Sequence, residues 1–355
     1  KSDYAIRGKV LGDLTVDVET SVITKLEEEA VSGDWNGVAA ADRKWASVTY
    51  GNGKFVAVSP AENPQDLATM VMYSSDGLSW TSASGAGNVL YEAVIYGGDK
   101  FVAIGGILSG DSYGMYSSDG ISWTGFTMPS SNSQYALAYG GGKFVAVGGG
   151  SASSNVAYSS DGINWTAPIQ AQLVGLNQTW NGIAYGGGKF VAVAGNGSQR
   201  VMYSTDGEEW TLADAATGED TYWMSVTYAD GKFVATGSQG SERIMYSTDG
   251  INWTGVTAPQ QSNWQSVTQG GGKFVAVTGD GPSQVMYSTD ATSWSLATSA
   301  EANQWQSITY GDGKFVAVAN DGSNRVMWSY TGTGIDSTSA VLTLTDTTGL
   351  SSINQ

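Results

Sequence analysis

Trp264-Gln265-Ser266-Val267-Thr268, then Lys273-Phe274-Val275-Ala276-Val277, then Val285-Met286-Tyr287-Ser288 and finally Ser293-Trp294-Ser295 make up one complete unit of this chain. Each run is a few residues long, rich in β-branched and aromatic side chains, and bounded by Gly, Asn, Asp or Ser, which marks strand and turn. The unit therefore holds four strands, A to D. Its second run recurs seven times, at Lys54, Lys100, Lys143, Lys189, Lys232, Lys273 and Lys314, at intervals of 46, 43, 46, 43, 41 and 41 residues. A repeat of that length with short strands and no helical periodicity predicts an all-β, seven-bladed β-propeller of four-stranded antiparallel blades.

The connections within a unit are unequal. A to B is a tight hairpin such as Tyr139-Gly140-Gly141-Gly142-Lys143, and C to D is Ser-Ser/Thr-Asp-Gly. Asp76, Asp119, Asp161, Asp206, Asp249 and Asp290 open the latter turn as structural residues that accept backbone N–H groups. These two turns vary little. The B–C and D–A connections vary in length and sequence, the longest being residues 60–68 and 167–179. In an up-and-down blade each pair of connections shares one end, so one face of the ring is uniform and the opposite face individual.

The seventh unit stops after Val326-Met327-Trp328-Ser329-Tyr330 without a strand D. Gly33-Asp34-Trp35-Asn36-Gly37-Val38-Ala39-Ala40 parallels Ile251-Asn252-Trp253-Thr254-Gly255-Val256-Thr257-Ala258, so residues 33–40 are expected to close blade seven as its outer strand. The expected organisation is a β arm at 1–32, the propeller at 33–330 and a second β arm at 331–355. Both arms leave the uniform face side by side and belong to an anchoring domain. Leu14–Val22 and Ala340–Thr345 alternate as half-buried strands do. The Lys1 start and the Ser351-Ser352-Ile353-Asn354-Gln355 end read as a piece of a longer β-rich polypeptide.

Composition narrows the partners. Cysteine and histidine are both absent from the 355 residues, which removes disulfides, thiolate metal sites and the usual general base. No cofactor or metal is expected. A net charge of −17 argues against nucleic acid, and no apolar run approaches a membrane span. The repeat lysines are expected to keep the uniform face soluble by pairing with the aspartates of the neighbouring turn; docking of an acidic partner is the alternative.

The candidate ligand-binding residues lie toward the individual face. Trp45, Tyr91, Trp180, Trp223, Trp264 and Trp305, with Gln134, begin strand A nearest the central channel, where aromatic rings beside polar loops suit sugars. Plain wedging of the blades is the competing role for these rings. Arg200, Arg243 and Arg325 occupy one equivalent position before strand C, as binding groups or as simple solubilising groups. The carboxylate pairs Glu219-Asp220 and Glu208-Glu209 lack a basic orienter, so no catalytic residue is assigned and the chain is expected not to be an enzyme.

The Ser-x-Asp-Gly-x-x-Trp string, with Trp80, Trp123, Trp165, Trp210, Trp253 and Trp294, resembles the Asp-box of sialidase-type propellers, one residue shorter between Asp and Gly. The repeat region, 33–330, also resembles propellers of phage and bacterial exterior proteins, and Ser339–Leu350 resembles β-domains of structural proteins of marine tailed phages. Similarity to photosystem-assembly propellers is weaker, because their arginine-rich face has no counterpart. The resemblance implies an extracellular or virion-surface component whose variable loops recognise a host-surface glycan or protein. Its other partners would be virion or surface subunits, with homo-oligomerisation through the parent protein. The alternatives are a decoration propeller without a ligand and, third, a glycosidase-like enzyme.

Overall fold

The computed structural model describes residues 16–18, 21–23, 27–31, 35–60, 70–85, 90–106, 113–129, 133–149, 155–167, 178–216, 221–333 and 337–341. Seven antiparallel blades stand in sequence order. Blade one holds Ser47–Gly51, Lys54–Val58, Val71–Ser74 and Thr81–Ala83, and blades two, four, five and six repeat that plan from Leu90, Trp180, Tyr222 and Trp264. Blade three holds Ser133–Gly140, Lys143–Gly149 and Val156–Ser159; its fourth strand is reduced to a bridge in which Tyr158 and Thr166 exchange both backbone hydrogen bonds.

Blade seven is made from both ends of the chain. Trp305–Gly311, Lys314–Ala319 and Val326–Ser329 are completed by Asn36–Val38, in register Val326↔Val38, Met327↔Gly37 and Trp328↔Asn36. The predicted closure is observed. Just outside it, Glu27–Val31 pairs antiparallel with Ser337–Val341, so the two chain ends leave the ring as one ribbon. Val16–Val18 pairs with Ser21–Ile23. The expected alternation of 340–345 lies outside the described residues beyond Val341.

The repeated Phe-Val-Ala-Val run explains why the core lies between blades. Strand alternation sends Phe144 and Ala146 toward blade two and Val145 and Val147 toward blade four, and all four are fully buried. A run apolar on both faces is what a strand packed on both sides requires. Seven apolar clusters result, one per blade interface, and Trp45, Phe55, Val316 and Val318 close the interface of blades seven and one.

Blades also interlock at the end of strand A. A Cβ on Gly140 would overlap the ring of Tyr185 in the next blade, and one on Gly311 the ring of Tyr50 across the closure. Blade five ends strand A with Ala229 instead, and the facing residue is Gln269 rather than tyrosine. Each tyrosine in turn tilts against its own strand B phenylalanine, as Tyr185 does on Phe190 at 4.7 Å between centroids.

The uniform face is stitched by lysine, but not as the sequence implied. Lys143, Lys189 and Lys232 donate from Nζ to the carbonyl oxygens of Asp206, Asp249 and Asp290, each in the following blade, at 3.0, 2.6 and 3.1 Å. The aspartate carboxylates are already engaged by their own turns. Lys143 also pairs with Glu208, so that carboxylate does have a basic partner. Lys314 is buried, pairs with Asp312 and lies over the rings of Phe55 and Tyr330.

Candidate functional site at the channel mouth

The inner strands hold the site, and a bulge creates it. In blades two to seven the register of strand A against strand B slips by one residue near the start of strand A, leaving Glu92, Tyr135, Asn181, Met224, Gln265 and Gln306 as the extra residue. A bulge re-aims a side chain that regular pleating would place elsewhere. All six line one central cavity of about 310 Å3, with Ala46 in the equivalent place in blade one and Val94, Leu137, Ile183 and Val226 deeper along the wall. Because strand A starts at the end shared by the D–A and B–C loops, this is the mouth of the channel on the individual face.

The ring of bulge residues is chemically uneven. It contains one carboxylate, one phenol, three amides and one thioether, and Tyr135 is 37% exposed, the most open of the six. Asn181 donates from Nδ2 to the Trp223 carbonyl at 2.9 Å, and Gln306 donates from Nε2 to the Gln304 carbonyl at 3.2 Å. The Glu92 carboxylate, the Tyr135 hydroxyl and the Gln265 amide have no hydrogen-bond partner among the described residues. Desolvation in the cavity pushes the pKa of Glu92 above the usual carboxylate range.

One residue further on, serine staples the blades together. Ser307, Ser47, Ser225 and Ser266 accept through Oγ from the N–H groups of Val48, Val94, Val267 and Ile308 in the next blade, at 3.1–3.2 Å. Blades two, three and four carry Ala93, Ala136 and Gly182 at that place. The same three blades supply Glu92, Tyr135 and Asn181, so the departures from the repeat converge on one arc of the mouth.

The rings singled out in the sequence sit one position away and face the other direction. Trp45, Tyr91, Trp180, Trp223, Trp264 and Trp305 are all at most 1% exposed, and each belongs to an inter-blade cluster. Their covered faces offer no stacking platform; in blades two and four to seven the bulge that turns the next residue into the channel leaves them packed between blades. Gln134 is buried as well. The signal that locates the mouth in the sequence is divergence: the aromatic position is nearly constant among repeats, while the following one differs in nearly every blade.

The arginines do not converge. Arg200 donates to the carbonyls of Gly197 at 2.8 Å and Thr221 at 2.6 Å, and Arg243 to that of Gly240 at 3.3 Å. Arg325 donates to the carbonyls of Arg43 and Asn320, both at 2.7 Å, and pairs with Asp42. Each fastens its own B–C loop, and two of them tie that loop to the next blade. Gln284 does the same work in blade six, accepting from the indole N–H of Trp305 at 3.1 Å.

The six aspartates brace the C–D turns. Asp249 Oδ1 accepts from the N–H groups of Ile251 and Asn252, both at 2.8 Å, and from the Ser247 hydroxyl at 2.9 Å. Asp76, Asp119, Asp161, Asp206 and Asp290 repeat the arrangement. Backbone amides, first of all those of Ser79, Asn252 and Ser293, hold Asp76, Asp249 and Asp290 below the usual carboxylate range. At Asp161 and Asp206 partial desolvation opposes the shift and the amides outweigh it. Among the described residues no group of three acidic, histidine or cysteine side chains is placed to hold a metal ion.

The fold is shared with solved structures. The chain is a seven-bladed β-propeller. Streptogramin B lyase superposes with a TM-score of 0.68 at 10% identity, over 83% of this chain and 96% of that one. A catalytically inactive virginiamycin B lyase from Staphylococcus aureus, solved with quinupristin, gives 0.67 at 11% identity, over 86% and 99%. YCF48 from Cyanidioschyzon merolae gives 0.61 at 15% identity, over 84% and 99%, and YCF48 has also been solved with a D1 peptide. At these identities the likeness is one of fold. No family model matches the chain, and no curated protein matches it.

The neighbours correct one expectation. Absence of enzymatic activity does not follow for a propeller of this kind, since two of the similar structures are lyases. Their common ground with the peptide-bound YCF48 is coarser: these neighbours bind ligands or partners.

Proposed function

We propose that this propeller is an exterior binding module that captures a host-surface glycan at the mouth of its channel. One observation carries the reading: six bulges aim six side chains of four chemical kinds into one cavity of about 310 Å3 on the individual face. That volume is at the small end of small-molecule sites, about 300–1,000 Å3. Its amides and phenol suit the hydroxyl groups of a sugar. The ribbon of Glu27–Val31 and Ser337–Val341 leads both arms away together, which supports 1–32 and 331–355 as parts of an anchoring domain in a virion or cell-surface protein. The longer loops at 60–68 and 167–179, read in the sequence as part of the individual face, lie mostly outside the described residues.

The test is binding of the full chain to a glycan array and to intact bacterial cells, beside the double variant Asn181→Ala/Gln265→Ala. Saturable binding that the double variant loses, with its unfolding temperature within a few degrees of the parent, is the expected result. Binding retained in full by the variant would move the site away from the channel mouth.

A further inference from the structure

We infer that the channel mouth takes a ligand bearing a primary ammonium group, with the Glu92 carboxylate as its counter-ion; the inference rests on the binding reading above and names the chemistry of the same site. Among the described residues Glu92 is the one formally charged residue lining the cavity, and none of the lining residues is a lysine or arginine. Its carboxylate has no hydrogen-bond or ion-pair partner among the described residues. A partly buried, unpaired carboxylate is costly, and a bound cation relieves that cost where a neutral hydroxyl does so only in part. The raised pKa of Glu92 registers the same cost.

The surroundings select an ammonium over other cations. One carboxylate among amides falls well short of the six to eight oxygens a calcium ion takes. The rest of the ring instead offers the Tyr135 aromatic system and the Met224 thioether, which suit an organic cation. Glu92 is also peculiar to blade two: the equivalent places hold Ala46, Tyr135, Asn181, Met224, Gln265 and Gln306. The repeat therefore does not require an acid there for folding, and the net charge of −17 steers cations toward the protein in general.

The experiment uses the full chain at about 0.15 M salt, where surface attraction is screened beyond about 8 Å. Three probes are titrated, glucosamine, N-acetylglucosamine and n-butylamine, against the parent and Glu92→Gln, with unfolding temperatures recorded alongside. Glucosamine is expected to bind roughly tenfold more tightly than its acetylated form, the factor one charge-assisted hydrogen bond supplies, and Glu92→Gln should bring the two to parity. Equal or tighter binding of N-acetylglucosamine to the parent, or a preference that survives Glu92→Gln, overturns the ammonium inference and leaves the glycan reading standing. Binding of n-butylamine alone, lost in Glu92→Gln, supports the ammonium inference and removes the glycan reading. Failure of all three probes to bind the parent overturns both.

Discussion

At the scale of single residues, the two most informative positions are one that must stay small and one that is charged among uncharged neighbours. Gly140 has the ring of Tyr185 where its side chain would be, so Gly140→Ala should cost about 2–3 kcal/mol by overpacking, read from denaturant unfolding. Ala229→Gly should cost less, about 0.5–1 kcal/mol, the conformational freedom a glycine adds to the unfolded chain. Glu92 titrates above its ordinary range when folded, so its penalty on stability is absent below about pH 4, grows as pH rises from the ordinary carboxylate range toward the folded pKa, and is constant above it. Glu92→Gln should therefore melt higher than the parent at pH 7 and coincide with it near pH 4. The rings of Trp180 and Trp264 were visible in the sequence as core or ligand platform, and period-two alternation does not decide between these. The bulge decides it, and a bulge leaves little trace in one repeat; only the variety at Glu92, Tyr135 and Asn181 points to the channel.

At the scale of elements, the C–D turn shows how a four-residue string becomes a structural part. Ser247 and Asp249 satisfy the turn amides between them, and Gly250 takes the left-handed conformation at φ 73°. Asp249→Ala should lower stability by about 1 kcal/mol, the usual loss when a side chain that caps free amides is removed. Because amide hydrogen bonds depress the Asp249 pKa, its contribution is fully present above the ordinary carboxylate range and is lost as pH falls through the folded value. The gap between parent and Asp249→Ala melting temperatures should thus be widest near neutrality and close in acid. These turns, like strands A to C, were legible because each repeat restates them. The lysine partners were not: a sequence gives the proximity of Lys189 and Asp249 but not that the carboxylate is already occupied, which sends the ammonium to the carbonyl.

At the scale of the whole molecule, the ring depends on a strand borrowed from the other end of the chain. Removing residues 1–40 strips Asn36–Val38 from Val326–Ser329, takes Trp35 out of the cluster between blades six and seven and Val38 and Ala40 away from the one between blades seven and one, and leaves an unpaired edge. The shortened chain should melt lower than the parent and self-associate in light scattering, and a peptide of residues 33–44 added in trans should reverse both effects. Unchanged melting and a monomeric profile would mean that the closing strand is dispensable. The closure was readable from the parallel between residues 33–40 and 251–258, since a missing outer strand in the last repeat has to come from elsewhere. The same seam also fixes how the ring responds to pulling. Its outgoing ends, at Asn36 and Ser329, lie on one side, and the next pairing, Glu27 with Val341, repeats that arrangement. Tension carried through the two arms would strip these short ladders one rung at a time, like a zip, instead of loading all rungs together. A propeller tethered in this way yields at its seam under modest force while its other six blades keep their pairing, so a stretched tether would release the ring opened but largely intact.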